Sequence, residues 1–203
     1  QAVKGVGEEI GGLYRREEIE WPVPSGELDL ELPADTPFAK LFSRSKVRMR
    51  LAPAFETVFR RRSIDLQLPG GATALLCLDK GEIRAGAASE ALCEAEIELV
   101  RGDAVALLDF AGSLRGEIPF RIGTQSKAER GYALAALNAG AVPAPVRAKS
   151  VTMNAADSAQ EAFSTIVQST AAQFHANERG FLEQVDPEYL HQLRVALRRL
   201  RAA

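Results

Sequence analysis

The sequence predicts an α+β protein in which a meander of antiparallel strands with one or two helices precedes an all-helical segment. Three patterns indicate this order. Several stretches in the N-terminal part of the chain alternate apolar and polar residues, as strands with one buried face do. Turn residues such as Pro69-Gly70-Gly71 separate neighbouring stretches. Towards the C-terminus, apolar residues recur instead at the spacing of amphipathic helices.

The predicted strands follow from the alternation. The first is predicted over Leu13–Trp21, where charged residues occupy most of the second face. A short surface helix is expected after Thr36 and Pro37, which are an N-cap and a first-turn signal. The remaining strands are predicted over Phe59–Leu68, Thr73–Leu78, Glu82–Arg84, Cys93–Leu99 and Phe120–Ile122. Asp79-Lys80-Gly81 is interpreted as a turn between the second and third of these.

Three longer helices are predicted from capping residues and apolar spacing. Asp103 is expected to cap the first helix. The apolar residues between Phe163 and Phe174 indicate the second, and Asp186-Pro187 begins the third. A stretch rich in Ala, Gly and Pro lies before the last two helices and is interpreted as a linker. We therefore expect one domain over residues 1–134, a linker over 135–154 and a second domain over 155–203.

Composition narrows the classes of partner. The 203-residue chain contains 25 Lys and Arg against 27 Asp and Glu, so it has no overall field that would attract nucleic acid. It has no run of about 18 apolar residues that could span a membrane. We expect a cytoplasmic protein without nucleic-acid or membrane partners. Cys77 and Cys93 lack metal-ligand spacing and are expected to be ordinary buried thiols.

The segment Cys93–Leu99 has a carboxylate at every even position. Glu94, Glu96 and Glu98 therefore share one face of a strand, about 6.6 Å apart, and repel one another unless a cation lies among them. That cation is either a metal ion or a basic side chain. The basic candidates are Lys4, Arg16, Arg61, Lys127 and Arg130. If these faces point into a closed barrel, its lumen suits a metal-bound polyphosphate, because carboxylates hold Mg²⁺ or Mn²⁺ while Arg and Lys bind phosphate.

Separated motifs resemble the CYTH domain of bacterial inorganic triphosphatases. In family order they are Leu51–Thr57 with Phe59-Arg60-Arg61, Leu78–Gly86, Glu94–Leu99 and Ser126–Tyr132. The resemblance extends over about residues 1–135. It implies a triphosphate tunnel, an antiparallel β-barrel with peripheral helices whose interior binds a triphosphate chain and divalent Mg²⁺ or Mn²⁺. It also implies hydrolysis of inorganic triphosphate to diphosphate and phosphate.

The same resemblance implies roles for individual residues. The basic residues implied to bind substrate and act in catalysis are Lys4, Arg16, Arg61, Lys127 and Arg130. The carboxylates implied to hold the metal are Glu18, Glu20, Glu94, Glu96 and Glu98. Asp79 matches a family aspartate, and a turn-capping role is an equal alternative. Ser63 and Ser126 have no histidine motif beside them, so no covalent nucleophile is expected.

The C-terminal segment His191–Arg201 resembles the first signature helix of the CHAD domain, a helical polyphosphate-binding module. At helical spacing, His191, Arg194, Arg198 and Arg201 form one basic stripe beside a stripe of leucines. The resemblance implies that this stripe binds polyphosphate. From the residues alone, a solvated basic face is the alternative.

Two other functions stay open on the sequence. Both domains could bind polyphosphate without turnover, although a pure polyanion binder gains nothing from carboxylates in its site. Other CYTH members are adenylate cyclases or thiamine triphosphatases, and the fusion to CHAD favours inorganic triphosphate by analogy. The family's Glu-x-Glu-x-Lys and Arg-x-Arg strands would precede Gln1, and CHAD helices would continue past Ala203. We therefore expect the activity to belong to a longer parent chain.

Overall fold

A computed structural model describes residues 1–5, 7–10, 13–24, 26–183 and 186–203. The chain divides into two compact units, one formed by residues 53–142 and the other by residues 1–52 with 143–203. Strands and helices are both present, and the C-terminal region is helical, which confirms the predicted α+β class. Within the described residues, the strands form three separate antiparallel sheets of two, two and three strands, and a closed barrel is not among them.

Two short antiparallel strand pairs, a 3-10 helix over Leu32–Asp35 and two single-turn α-helices lie in the N-terminal part of the chain. Strand β1 (Ala2–Lys4) pairs with β4 (Glu18–Glu20), and β2 (Glu8–Ile10) pairs with β3 (Leu13–Arg15). The predicted strand over Leu13–Trp21 is therefore wrong as one element. The break falls opposite Gly5 and Gly7, because glycine in a strand interrupts regular pairing. The predicted surface helix is confirmed as α1 (Ala39–Phe42), and α2 (Ser45–Arg48) follows it.

The unit of residues 53–142 is built on one three-stranded sheet. Its strands are β5 (Glu56–Gln67), β6 (Thr73–Ala85) and β7 (Ala88–Arg101), in that order across the sheet. The expected turn at Asp79-Lys80-Gly81 is wrong, because β6 continues through it and is paired on both sides. A Cβ at Gly81 would lie 2.0 Å from the Val58 carbonyl oxygen, so this glycine serves close strand approach rather than a turn.

Two helices complete this unit. Helix α3 (Val105–Leu114) contributes Leu107 to a core with Leu68, Ala72 and Ala74. The N-cap position is Ala104, and Asp103, one residue before it, accepts a hydrogen bond from the Val105 amide. Helix α4 (Lys127–Asn138) contributes Leu134 to a second core with Ile83, Ala85 and Leu92. Along β6 the two cores use residues of opposite parity, so the two helices pack on opposite faces of the sheet.

Two smaller sequence expectations are corrected. Residues 120–122 form no strand, and Phe120 and Ile122 are exposed, because no neighbouring strand within the described residues supplies hydrogen bonds to this short apolar run. Cys77 is buried as expected, but Cys93 is exposed. Cys93 is opposite Lys80, on the sheet face away from the second core.

The C-terminal part contains two helices, α5 (Ala159–Leu182) and α6 (Pro187–Ala202), which confirms both predicted helices. Ser158 and Glu161 form a capping box at the start of α5, and Asp186 caps α6. The buried Asn177 side chain exchanges hydrogen bonds with both the amide and the carbonyl of Val146, so it binds that segment as a neighbouring peptide unit would. Residues 141–154 carry neither helix nor strand. No helix among the described residues combines the length and apolarity needed to cross a bilayer.

Glycine at position 131 determines how closely α4 approaches its neighbours, because a Cβ there would lie 2.3 Å from the Phe55 ring. We predict that Gly131→Ala lowers the free energy of unfolding by roughly 1–3 kcal/mol, despite the better helix propensity of alanine. Gly112 in α3 has nothing within 4 Å of its Cβ position. Gly112→Ala should therefore raise stability by up to about 1 kcal/mol. Urea denaturation followed by circular dichroism compares the two, and equal effects would contradict the close approach.

Candidate functional site

A row of charged side chains crosses the middle of the three-stranded sheet. Arg61 on β5 is the register partner of Asp79 on β6, which is the partner of Glu94 on β7. Glu96 is two residues further along β7 and shares the face of Glu94. Directly opposed residues on one face lie within reach of one another, so the sheet itself assembles this row.

Helix α4 adds two basic residues to the row. Ser126 and Glu129 form a capping box in which the Ser126 Oγ accepts from the Glu129 amide and the Glu129 carboxylate accepts from the Ser126 amide. The helix therefore begins at Lys127. Because Lys127 and Arg130 are three residues apart, they share one face of the first turn. That face meets the carboxylates of β7.

Lys127 contacts three carboxylates at once. Its Nζ lies 2.8 Å from Asp79 Oδ2, 2.5 Å from Glu94 Oε1 and 2.9 Å from Glu96 Oε1. The Lys127 side chain is only 15% exposed. All three ammonium protons thus have an acceptor, and the cation lies within the carboxylate group.

Arg61 and Arg130 bind the same carboxylates from their other sides. Arg61 donates from Nε to Asp79 Oδ1 at 2.8 Å and from Nη2 to Asp79 Oδ2 at 2.7 Å, a bidentate pair, and Nη2 also reaches Glu96 Oε2 at 2.8 Å. Arg130 donates from Nη1 to Glu94 Oε2 at 2.9 Å and from Nε to Glu90 Oε1 at 2.8 Å. We refer to these seven residues as the charged network: Arg61, Asp79, Glu90, Glu94, Glu96, Lys127 and Arg130.

The electrostatics of the charged network keep its central groups ionised. Hydrogen bonding from Arg61 lowers the pKa of Asp79 and outweighs burial, which would raise it. Burial disfavours the charged form of Lys127, but its hydrogen bonds to Asp79, Glu94 and Glu96 outweigh this effect and raise the pKa of Lys127. The Asp79 hydrogen bond likewise raises the pKa of Arg61. With four carboxylates and three basic groups, the network has a formal negative charge.

The oxygens of the network fit a hard divalent cation. Asp79, Glu94 and Glu96 each offer a carboxylate oxygen, and these oxygens lie within 4.8 Å of one another. Mg²⁺ and Mn²⁺ prefer such all-oxygen donor sets. Asp79 is fully buried in the sheet, which fixes one of the three donors in place.

The structure brings together five of the residues singled out from the sequence: Arg61, Glu94, Glu96, Lys127 and Arg130. Glu98 is opposite Leu75 and lies outside the ion pairs that the described residues form. Sequence reasoning missed Glu90, although it is an even number of residues from Glu94 and therefore lies on the same face of β7. It also left the role of Asp79 open. The structure shows that Asp79 is a mid-strand residue that binds Arg61 and Lys127, and not a turn cap.

Four further predicted residues lie in the unit formed by residues 1–52 and 143–203. Lys4 on β1 is the register partner of Glu18 on β4, and Lys4 Nζ lies 2.5 Å from Glu18 Oε1. Arg16 Nε lies 3.8 Å from the other oxygen of Glu18. Burial would raise the pKa of Glu18, but the bond to Lys4 outweighs burial and lowers it. Glu20 follows on the same strand, opposite Ala2.

The predicted basic stripe of α6 is exposed. His191, Arg194, Arg198 and Arg201 all lie at the surface of the helix. Arg199 is different, because it donates to the Gln173 side chain and to the Lys149 carbonyl. The stripe is therefore available to an anionic ligand, whereas the Arg199 guanidinium makes hydrogen bonds within its own unit.

Two family models match the sequence. The CYTH domain model matches residues 1–132, which include the whole charged network. The CHAD domain model matches residues 165–203, which include the basic stripe of α6.

Asp79 is the buried centre of the charged network, and we predict that Asp79→Asn lowers the free energy of unfolding by roughly 1–3 kcal/mol. The amide keeps the size of the side chain but removes the buried charge that Arg61 and Lys127 share, which leaves them with the more exposed carboxylates of Glu94 and Glu96. Asp65→Asn, at an exposed position of β5, is the matched control and should change stability by less than about 0.5 kcal/mol. Urea denaturation measures both variants, and similar small effects would contradict the central role of Asp79.

Proposed function

This chain belongs to the CYTH family and ends in a CHAD domain, and on that premise we propose that it hydrolyses inorganic triphosphate to diphosphate and phosphate. The observation that carries the proposal is the charged network, which presents carboxylates for a divalent metal ion beside basic groups for phosphate. A site for a polyanion alone would have no use for carboxylates. The combination is what hydrolysis of a metal-bound phosphoanhydride requires.

The metal ion would be held by one carboxylate oxygen from each of three residues, Asp79, Glu94 and Glu96. When bound, Mg²⁺ or Mn²⁺ neutralises phosphate oxygens and orients or activates the attacking water. Arg130 orients Glu94 through its Oε2, and Arg61 orients Glu96 through its Oε2 and Asp79 through both of its oxygens. Glu18, Glu20 and Glu98 are proposed as further metal-binding carboxylates on the strength of the family motifs that they match.

The basic residues would bind the triphosphate chain and stabilise the charge that develops on the leaving diphosphate. Arg61, Lys127 and Arg130 are the basic residues of the charged network. Lys4 and Arg16 are assigned to the same task by the family motif alone. The antiparallel tunnel of the family, and the domains over residues 1–134 and 155–203, are part of the proposal. The fusion to CHAD favours inorganic triphosphate over ATP or thiamine triphosphate as the substrate.

Phosphate release from inorganic triphosphate, with Mg²⁺ and with Mn²⁺, tests the proposed reaction. We predict that Glu94→Gln combined with Glu96→Gln lowers kcat/KM by about 100-fold or more, because both variants remove a metal donor. Glu82→Gln is the matched control, since Glu82 pairs with Arg84 on the opposite face of the same sheet, and it should keep the activity of the unaltered protein. ATP and thiamine triphosphate serve as competing substrates. Faster turnover of either would redirect the proposal to another CYTH reaction. Polyphosphate binding without any turnover would support the alternative in which both domains bind polyphosphate without catalysis.

The exposed basic stripe of α6 supports a second activity, binding of long-chain polyphosphate. Its four members repeat at helical spacing, and its three arginines therefore present positive charge along one line. A polyphosphate chain carries a regular row of negative charge that can follow such a line. Binding of this kind should weaken steeply with added salt, because it releases counter-ions.

We predict that Arg194→Gln combined with Arg198→Gln weakens polyphosphate binding about tenfold at low salt. The double variant Arg115→Gln with Arg121→Gln removes the same charge from exposed positions outside α6 and is the control. Fluorescence anisotropy of labelled polyphosphate measures both. Equal losses in the two double variants would show that net charge, and not the stripe, governs binding.

A further inference from the structure

We propose that Lys127 is an exchangeable counter-ion of the metal site. Its ammonium occupies the carboxylates of Asp79, Glu94 and Glu96 when no metal is bound, and it transfers to the phosphate chain when the metal ion takes those oxygens. This inference rests on the proposed function and deepens it, because it makes metal and triphosphate binding depend on each other.

The division of oxygens in the charged network carries the argument. The Oε2 atoms of Glu94 and Glu96 are held by Arg130 and Arg61, while both Oε1 atoms bind Lys127. On Asp79, Arg61 donates to both oxygens, and Lys127 shares Oδ2 with Arg61 Nη2. The arginines thus hold one oxygen of each glutamate, and the lysine ammonium lies at the other. A divalent ion bound by this triad through Oε1 of the two glutamates takes the oxygens that Lys127 occupies, so it competes with Lys127.

The stem of Lys127 allows the exchange, whereas Arg61 is fixed. Lysine carries a compact charge on a flexible four-carbon chain, and Lys127 is the first residue of α4, so its side chain can turn while the capped backbone stays in place. Arg61 is held by a bidentate pair with buried Asp79. Arg130 is held on three sides, by Glu90, by Glu94 and by the Ala91 carbonyl. Among the described residues of the network, Lys127 is therefore the cation that a rotation of its own flexible side chain can release.

The exchange has a thermodynamic consequence. Metal binding costs the contacts of Lys127 with three carboxylates, and a phosphate chain restores a partner to the freed ammonium. Metal and triphosphate therefore bind with positive coupling, and each raises the affinity for the other by the same factor. In the absence of triphosphate, the metal ion binds more weakly than it would bind to the same three carboxylates without Lys127.

The first test measures the affinity of the protein for Mn²⁺ alone, by the electron paramagnetic resonance signal of the free ion. Lys127→Gln should bind Mn²⁺ at least about tenfold more tightly than the unaltered protein, because the competing cation is gone. Lys80→Gln removes the same charge from an exposed position on the other face of β6, next to Asp79, and should leave the affinity unchanged. If Lys127→Gln binds Mn²⁺ no more tightly than the unaltered protein, the proposed exchange of Lys127 is wrong, while the metal site of the proposed function is still supported. If no form of the protein binds Mn²⁺, the metal site of the proposed function fails as well.

A second measurement uses the unaltered protein, so it does not depend on the folding of a variant. Reductive methylation modifies lysine amines, and mass spectrometry reads the extent at each lysine. Lys127 should be modified slowly without metal and several-fold faster with saturating Mg²⁺, whereas exposed Lys80 should react at one rate in both conditions. An unchanged rate at Lys127, under conditions where the metal is shown to bind, would contradict its release.

Discussion

The burial of one carboxylate in the middle of a sheet is the constraint on which the rest of this structure depends. Asp79 is fully removed from solvent, and an isolated charge there would be costly. It is tolerated because Arg61 arrives from the neighbouring strand and Lys127 arrives from α4. The same contacts therefore tie the sheet to the helix and gather the basic groups at one place. The ion pairs that stabilise the sheet are therefore also those of the proposed metal site.

The arrangement also separates two kinds of basic residue by their shape. The guanidinium groups of Arg61 and Arg130 each span two carboxylates and set their orientation. The ammonium of Lys127 is a point charge that fills the space left between them. A set of donors held in this way needs little rearrangement to accept another cation, which is why the site is suited to metal-assisted chemistry on phosphate.

Much of this could be predicted from the sequence, and the exceptions have physical reasons. Strand parity placed Glu94 and Glu96 on one face of their strand, and apolar spacing and capping residues identified the two C-terminal helices. Asp79 was harder, because Asp-Lys-Gly has the composition of a turn, and only the cations from two other elements make it stable inside a strand. Glu90 was missed because buried Leu92 interrupts the row of carboxylates, and its partner Arg130 is 40 residues away. Local patterns do not contain such partners.

The capping box at Ser126 has a consequence for how this sequence can vary in length. The exposed, irregular segment before it can gain or lose residues at little cost, because lengthening a flexible loop changes its closure entropy only slightly. Between Ser126 and Arg130 the situation is opposite. One inserted residue would rotate everything after it by about 100° around the helix axis and carry Arg130 away from the carboxylates of β7. Among related sequences, insertions and deletions should therefore be common before Ser126 and rare between Ser126 and Arg130.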